Sequence, residues 1–166
     1  GASMVNQQSW FINCAFSGNH CVDDGGAIHS LGEDADVFLA NTTLSANDAD
    51  SSCGGIYMDG GADDDVANAI LWGNTDGDAL TGTRQAQYFA FDGTSTQDLN
   101  YCIVQGWNIV AGVGNNGSNP LLVDFNGIDN IAGNLDDDLH VQMTSPAIDS
   151  GNNADIPIDY VDVNDN

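Results

Sequence analysis

Phe11-Ile12-Asn13-Cys14-Ala15-Phe16-Ser17-Gly18-Asn19 is said again as Leu39-Ala40-Asn41-Thr42-Thr43-Leu44-Ser45-Ala46-Asn47, and again as Val66-Ala67-Asn68-Ala69-Ile70-Leu71-Trp72-Gly73-Asn74. Leu99-Asn100-Tyr101-Cys102-Ile103-Val104-Gln105-Gly106-Trp107 is a fainter fourth copy, and from Asn13 the copies follow at steps of 28, 27 and 33 residues. A period of this size marks stacked supersecondary units, each too small to bury its own apolar face. Two columns are apolar in every copy: Phe11, Leu39, Val66 and Leu99, then Phe16, Leu44, Leu71 and Val104. Members of a pair lie five residues apart, so they share a face only if the chain bends between them. Asn tolerates the left-handed region better than other residues with a side chain, and Asn13, Asn41 and Asn68 stand at the bend. Each copy therefore reads as strand, one-residue corner, strand, and the copies bury their columns on one another at roughly 4.8 Å spacing.

A second motif keeps step with the first. Gly25-Gly26-Ala27-Ile28-His29 recurs as Cys53-Gly54-Gly55-Ile56-Tyr57, adding to each turn a strand entered through glycines suited to close backbone approach. Gln87-Tyr88-Phe89-Ala90-Phe91 alternates as a further strand. The fold class expected is all-β, a parallel β-helix of four to five rungs. Its parts are an incomplete first rung over 1–8, rungs over 9–112, and a closing segment over 113–166. Gly112 to Asn119 reads as a loop too polar to pack, which separates the regular stack from the closing segment. Leu121-Leu122-Val123, Leu139-His140-Val141 and Ala147-Ile148 are expected to cover the open end of the stack, where unpaired strand edges would otherwise aggregate.

The rungs, with Asn119-Pro120-Leu121-Leu122-Val123-Asp124 and Ser145-Pro146-Ala147-Ile148-Asp149-Ser150-Gly151, resemble right-handed parallel β-helix proteins of the pectin lyase-like class, specifically bacterial surface and secreted proteins with a choice-of-anchor Q type of domain. The resemblance covers roughly residues 9 to 160. It implies a right-handed helix and an extracellular or cell-surface setting. It implies no activity, because the class includes lyases, hydrolases, adhesins and stalks.

Charge narrows the function. Asp and Glu total 25 against one basic residue, Arg84, for a net charge of −24. Nucleic acid and anionic membrane surfaces are excluded as partners. Self-repulsion of this size asks for screening, which points to a salt-rich, halophilic or marine medium or to divalent cations. No apolar run is long enough to insert in a membrane. Gly1-Ala2-Ser3 before Met4 reads as an expression scar, and the chain as part of a larger protein.

Four cysteines allow three pairings. Cys14 and Cys102 share a column three rungs apart, about 14 Å, which is too far to bridge. Cys21 and Cys53 lie in turns of adjacent rungs and can meet.

Lyases of this fold take a proton beside a uronate carboxylate with Lys or Arg, often with Ca²⁺ neutralising the acid; a lone Arg84 speaks against that. Carboxylate hydrolysis is the alternative enzyme reading, with Asp23, Asp24, Asp59 and Asp63 as candidates by type. The favoured reading is a non-catalytic module, structural, adhesive or glycan-binding, that engages a polysaccharide or cell-surface glycan. Its site is an outward ribbon of His29, Tyr57 and Tyr88 flanked by Asp59, with Trp72 and Trp107 at corners. Candidate calcium ligands are Asp63, Asp64 and Asp65 in the densest acidic turn, and Asp159, Asp162 and Asn164 at the spacing that opens many calcium loops. His20, His29 and His140 are too scattered in sequence to suggest a metal trio.

Overall fold

A computed structural model of the chain describes residues 1–77, 82–108 and 112–156. The first rung is β1 (Ala2–Val5), β2 (Gln8–Ile12), β3 (Ala15–Ser17) and β4 (His20–Cys21). The second is β5 (Ile28–Leu31), β6 (Asp36–Ala40), β7 (Thr43–Ser45) and β8 (Asp48–Ala49). The third is β9 (Ile56–Asp59), β10 (Asp63–Ala67), β11 (Ile70–Trp72) and β12 (Thr75–Asp76). After a one-turn helix α1 (Arg84–Gln87), a fourth rung holds β13 (Tyr88–Ala90), β14 (Thr96–Asn100) and β15 (Ile103–Val104) among the described residues. Equivalent strands stack in parallel into sheets β1-β5-β9-β13, β2-β6-β10-β14, β3-β7-β11-β15 and β4-β8-β12. The fold is an all-β solenoid of about three turns, fewer than the four to five expected, because among the described residues the fourth shows no last strand. The stretch expected to be an incomplete rung supplies β1, paired residue for residue from Ala2↔Ile28 to Val5↔Leu31.

The apolar columns point inward as the repeat requires. Leu39, Leu44, Leu71 and Val104 are wholly buried and Val66 nearly so, with Phe16↔Leu44↔Leu71↔Val104 in register. Between the columns Asn13, Asn41 and Asn68 take φ of 55°, 51° and 53°, and in the fourth copy Tyr101 takes 56°. The bend is thus a single left-handed residue, the conformation in which Asn costs least among residues with a Cβ. The paired glycines serve close approach: a Cβ on Gly54 would strike the carbonyl oxygens of Asn47 and Thr75, and one on Gly55 that of Gln87.

An inward amide ladder crosses the rungs. Asn19 Nδ2 donates to Asn47 Oδ1 (2.8 Å), Asn47 Nδ2 to Asn74 Oδ1 (2.8 Å), and Asn74 Nδ2 to Gln87 Oε1 (2.8 Å). The same oxygens accept from the backbone N–H of Asn19, Asn47 and Asn74, while Asn47 and Asn74 also donate to the carbonyls of Phe16 and Leu44. The buried amides are satisfied by one another, as burial demands.

The closing segment lies elsewhere than expected. Its strands β16 (Leu122–Asp124) and β17 (Asp138–Val141) form an antiparallel pair. It runs along the outside of the β3-β7-β11-β15 sheet: Ala132 and Gly133 pack on Gly18, Phe125 faces Gly73, and Asn152 bonds Asn68. The end of the stack is met instead by the polar loop. Tyr101 N–H donates to Val113 O (2.7 Å), Val104 N–H to Asn116 O (2.9 Å) and Asn116 N–H to Cys102 O. The Asn115 side chain accepts from Cys102 N–H and donates to Leu99 O. A polar loop can cover an edge because what an edge lacks is hydrogen-bond partners, not apolar area.

All four cysteines are free thiols. Cys53 does not bridge to Cys21; its Sγ donates to Ile56 O, and burial pushes the thiol far up from its ordinary pKa.

Candidate functional site

The outer face of the first sheet carries the candidate site. Strand alternation turns Ile56 and Met58 into the core and leaves Tyr57 on the outside. Register sets His29, Tyr57 and Phe89 one above another. The rings touch: His29 to Tyr57 at 5.2 Å edge-to-face, Tyr57 to Phe89 at 6.0 Å and to Phe91 at 6.1 Å, and Phe89 to Phe91 at 6.5 Å. Tyr57 is the covered centre, 5 % exposed, whereas Phe91 stands 64 % exposed. His29 and Phe89 are half-buried.

Tyr88, expected in this ribbon, is on the other side of the sheet. It continues the inward column of Ile28 and Ile56, is 1 % exposed, and donates its hydroxyl to Met58 Sδ (2.8 Å). The aromatic residues at the ladder's fourth level are Phe89 and Phe91, which the sequence reading passed over. The cause is the register of the last rung. Gln87 must reach the amide ladder, and Gly55 N–H bonds Ala86 O (3.0 Å), which puts Tyr88 beside Ile56.

Carboxylates ring the ladder. Burial first, then the charges of Asp24, Asp59 and Asp92, push the Tyr57 hydroxyl up to about 12, so it remains a neutral donor. Asp59 and Asp92 meet at one amide: Gly60 N–H donates to Asp59 Oδ1 (2.7 Å) and Asp92 Oδ2 (3.0 Å). Side-chain and backbone hydrogen bonds from Thr94 and Ser95 hold the Asp92 carboxyl well below the usual carboxylate range. The ladder is therefore an apolar platform with an acidic rim.

The acidic turn expected to hold calcium is divided by strand alternation. Asp63 and Asp65 are exposed on β10, while Asp64 is fully buried. Asp64 Oδ1 accepts from Ser30 Oγ (3.0 Å) and Val37 N–H (3.3 Å), and its Oδ2 has no partner. Asp64 therefore cannot join Asp63 and Asp65 around one ion on the surface. Desolvation, only partly offset by the Ser30 and Val37 hydrogen bonds, pushes its carboxyl up to about 7. Asp159, Asp162 and Asn164 lie outside the described residues.

Where donor atoms do converge, the sequence showed no local signal. His20, Asp48 and Asp50 bring one ligand atom each within 4.8 Å of the others. His20 Nδ1 is 3.0 Å from Asp48 Oδ2 and Nε2 3.8 Å from Asp50 Oδ2, with all three side chains about half exposed. Only the rung step joins them, since His20 pairs with Asp48 in register. Thr75 Oγ1 donates to Asp48 Oδ1 (2.6 Å) from the next rung, so the group is also a self-sufficient polar ladder. His140 is apart from it, paired with Asp138 at 2.7 Å.

Arg84 donates to the Tyr88 carbonyl at 3.4 Å and serves the α1 turn. Among the described residues no helix is long and apolar enough to cross a membrane. Compared with protein-family models, curated proteins and solved structures, the chain finds no match.

Proposed function

We propose that this chain is a non-catalytic module of an extracellular or cell-surface protein that holds a neutral glycan on the outer face of its first sheet. The observation that carries the reading is the His29–Tyr57–Phe89 ladder with Phe91 64 % exposed beside it. Sugar rings offer apolar C–H faces to such rings and hydroxyls to the carboxylates at their rim. The same carboxylates, Asp24, Asp59 and Asp92, repel polyuronates, which makes a neutral polysaccharide the better ligand class. The resemblance of the repeat to right-handed pectin lyase-like helices supports a surface or secreted setting. The charge of −24 supports a salt-rich medium, with calcium as a further stabilising ion.

The carboxylate-hydrolase alternative needs an acid with a raised pKa within reach of substrate. Asp64 has such a pKa but sits inside the solenoid, while Asp65, whose carboxyl is pushed up by partial burial and then by the charges of Asp63, Asp98 and Asp36, is exposed on β10, in a different sheet from the aromatic ladder. One assay separates the readings: incubation with pectate, alginate and neutral polysaccharides in the presence of Ca²⁺, following unsaturated products, reducing ends and retention. Retention on a neutral glycan without turnover supports the binding module. Product release that is lost in Asp59→Asn or Asp24→Asn overturns it.

A further inference from the structure

The rung step sets one histidine between two carboxylates. Register places His20, Asp48 and Thr75 one above another along β4, β8 and β12, and Asp50, two residues past Asp48, lies on the same side of the chain. The main chain fixes this group. Asp48 N–H donates to Asn19 O (2.8 Å) and Asp50 N–H to Cys21 O (2.9 Å), so both aspartates are tied to the residues that flank His20. Among the described residues it is the one group of three His, Cys, Asp or Glu side chains whose ligand atoms converge.

The two sides of the His20 ring differ. On one side Thr75 Oγ1 donates to Asp48 Oδ1 (2.6 Å), and Asp48 Oδ2 stands 3.0 Å from His20 Nδ1. A carboxylate only accepts, so Nδ1 carries the hydrogen and the tautomer of the neutral ring is set. On the other side Nε2 faces Asp50 Oδ2 at 3.8 Å, too far for a hydrogen bond. In the neutral ring Nε2 is a lone pair, so an acceptor looks at an anion across a gap that a cation would fill.

An imidazole oriented by a carboxylate through Nδ1, with Nε2 turned to a second ligand, is the arrangement in which histidine holds a metal. Two bonds of about 2.1 Å to one zinc ion span such a gap at an angle of about 130°, and a small turn of the Asp50 carboxylate brings this to tetrahedral. The side chains of His20, Asp48 and Asp50 are about half exposed, which leaves the remaining coordination positions to water. The nitrogen decides the class of ion, since calcium and magnesium take oxygen ligands whereas imidazole suits zinc, copper and nickel.

We propose that His20 Nε2 and the Asp50 carboxylate bind a divalent transition-metal ion of the zinc class. Water completes the coordination, and Asp48, backed by Thr75, orients the imidazole. The site lies on a different sheet from the aromatic ladder and does not depend on the glycan reading.

The test follows the histidine ring resonances of the whole chain as Zn²⁺ is added in a constant large excess of Ca²⁺, which occupies the unspecific attraction of the many carboxylates for cations. His140 is the internal control: its Nδ1 meets Asp138 at 2.7 Å, but no second carboxylate converges on it among the described residues. The expected result is saturation at one equivalent, with His20 shifting before His29 and His140. Asp50→Asn and His20→Gln should each lower the Zn²⁺ affinity about tenfold or more with unchanged circular dichroism. Asp48→Ala keeps both ligands but frees the ring, and should lower the affinity about tenfold. His140→Ala should leave it unchanged. The proposal is overturned by the absence of a saturable Zn²⁺ response in Ca²⁺, by a His20 response no earlier than that of His140, or by an affinity undiminished in Asp50→Asn.

Discussion

Asn68 and Asn152, 84 residues apart, exchange two hydrogen bonds: Asn68 Nδ2 donates to Asn152 O at 3.0 Å, and Asn152 N–H to Asn68 Oδ1 at 2.7 Å. Asn68 is also the left-handed corner of the third rung, with φ 53°. One side chain thus turns the solenoid and clasps the closing segment to it. Because both Asn152 groups are main-chain, the clasp is broken only from the Asn68 side. Asn68→Gly keeps the corner's geometry and loses the clasp, and should cost about 1–2 kcal/mol. Asn68→Ala adds the left-handed penalty of a Cβ, about 1 kcal/mol more. Urea midpoints should rank wild type above Gly above Ala; Ala equal to wild type would mean that neither role matters.

Asp64 makes stability depend on pH in a direction opposite to that of a paired carboxylate. Its pKa is about 7 in the fold, above the value near 3.9 expected when unfolded. The folded state therefore binds the extra proton between those values, so this group's stabilisation is full below pH 4 and lost as pH rises through 7. The upper size of the loss is roughly 4 kcal/mol, from three pKa units at 1.36 kcal/mol each. Asp64→Asn removes the titration while leaving an oxygen for Ser30 Oγ and Val37 N–H. The variant should melt higher than wild type at pH 8 and show a flatter profile between pH 4 and 8. A variant less stable at pH 8, with an unchanged slope, would place the titrating proton elsewhere.

The solenoid was legible in the sequence because its evidence is periodic. Leu39, Leu44, Val66 and Leu71 recur at the rung step and are buried at it, and Asn13, Asn41 and Asn68 recur at the corner and are left-handed. The site was legible only where the period held. His29 and Tyr57 lie on the outer face as expected, since both follow the glycine pair at the same step. Tyr88 broke the pattern because Gln87 replaces the next asparagine of the ladder from within α1, a contact that no local spacing announces. Asp64 was grouped with its neighbours by composition, although strand alternation and its register with Val37 turn it inward. The placement of the closing segment had no repeat to follow; it hangs on single contacts such as Asn68 to Asn152.

The amide ladder should be as important as the apolar core. Asn47 donates to Asn74 and Phe16 and accepts twice from Asn19, and it is wholly buried. Asn47→Ala leaves several of these groups unpaired inside the stack, at about 1–3 kcal/mol each. The expected result is a loss of about 3–5 kcal/mol in chemical denaturation, comparable to a large core deletion. A loss under about 1 kcal/mol would show that water replaces the missing amide.

Ions act through the net charge of −24. The melting temperature should rise with NaCl as repulsion is screened, and should rise further with CaCl₂ at equal ionic strength if calcium binds the folded chain. EDTA at fixed ionic strength should then reverse the second increment. A midpoint indifferent to salt and to Ca²⁺ would contradict both the screening argument and the calcium proposal.

The glycan reading is tested most directly by titrating a soluble neutral oligosaccharide into the chain while following the intrinsic fluorescence or the ring resonances of Tyr57, Phe89 and Phe91. Saturable binding is predicted, with affinity falling about tenfold in Phe91→Ala, the loss of roughly 1.4 kcal/mol of stacking. Trp10→Ala, on a different sheet, should leave that affinity unchanged. No saturable response to any neutral glycan, or equal binding by wild type and Phe91→Ala, would contradict it.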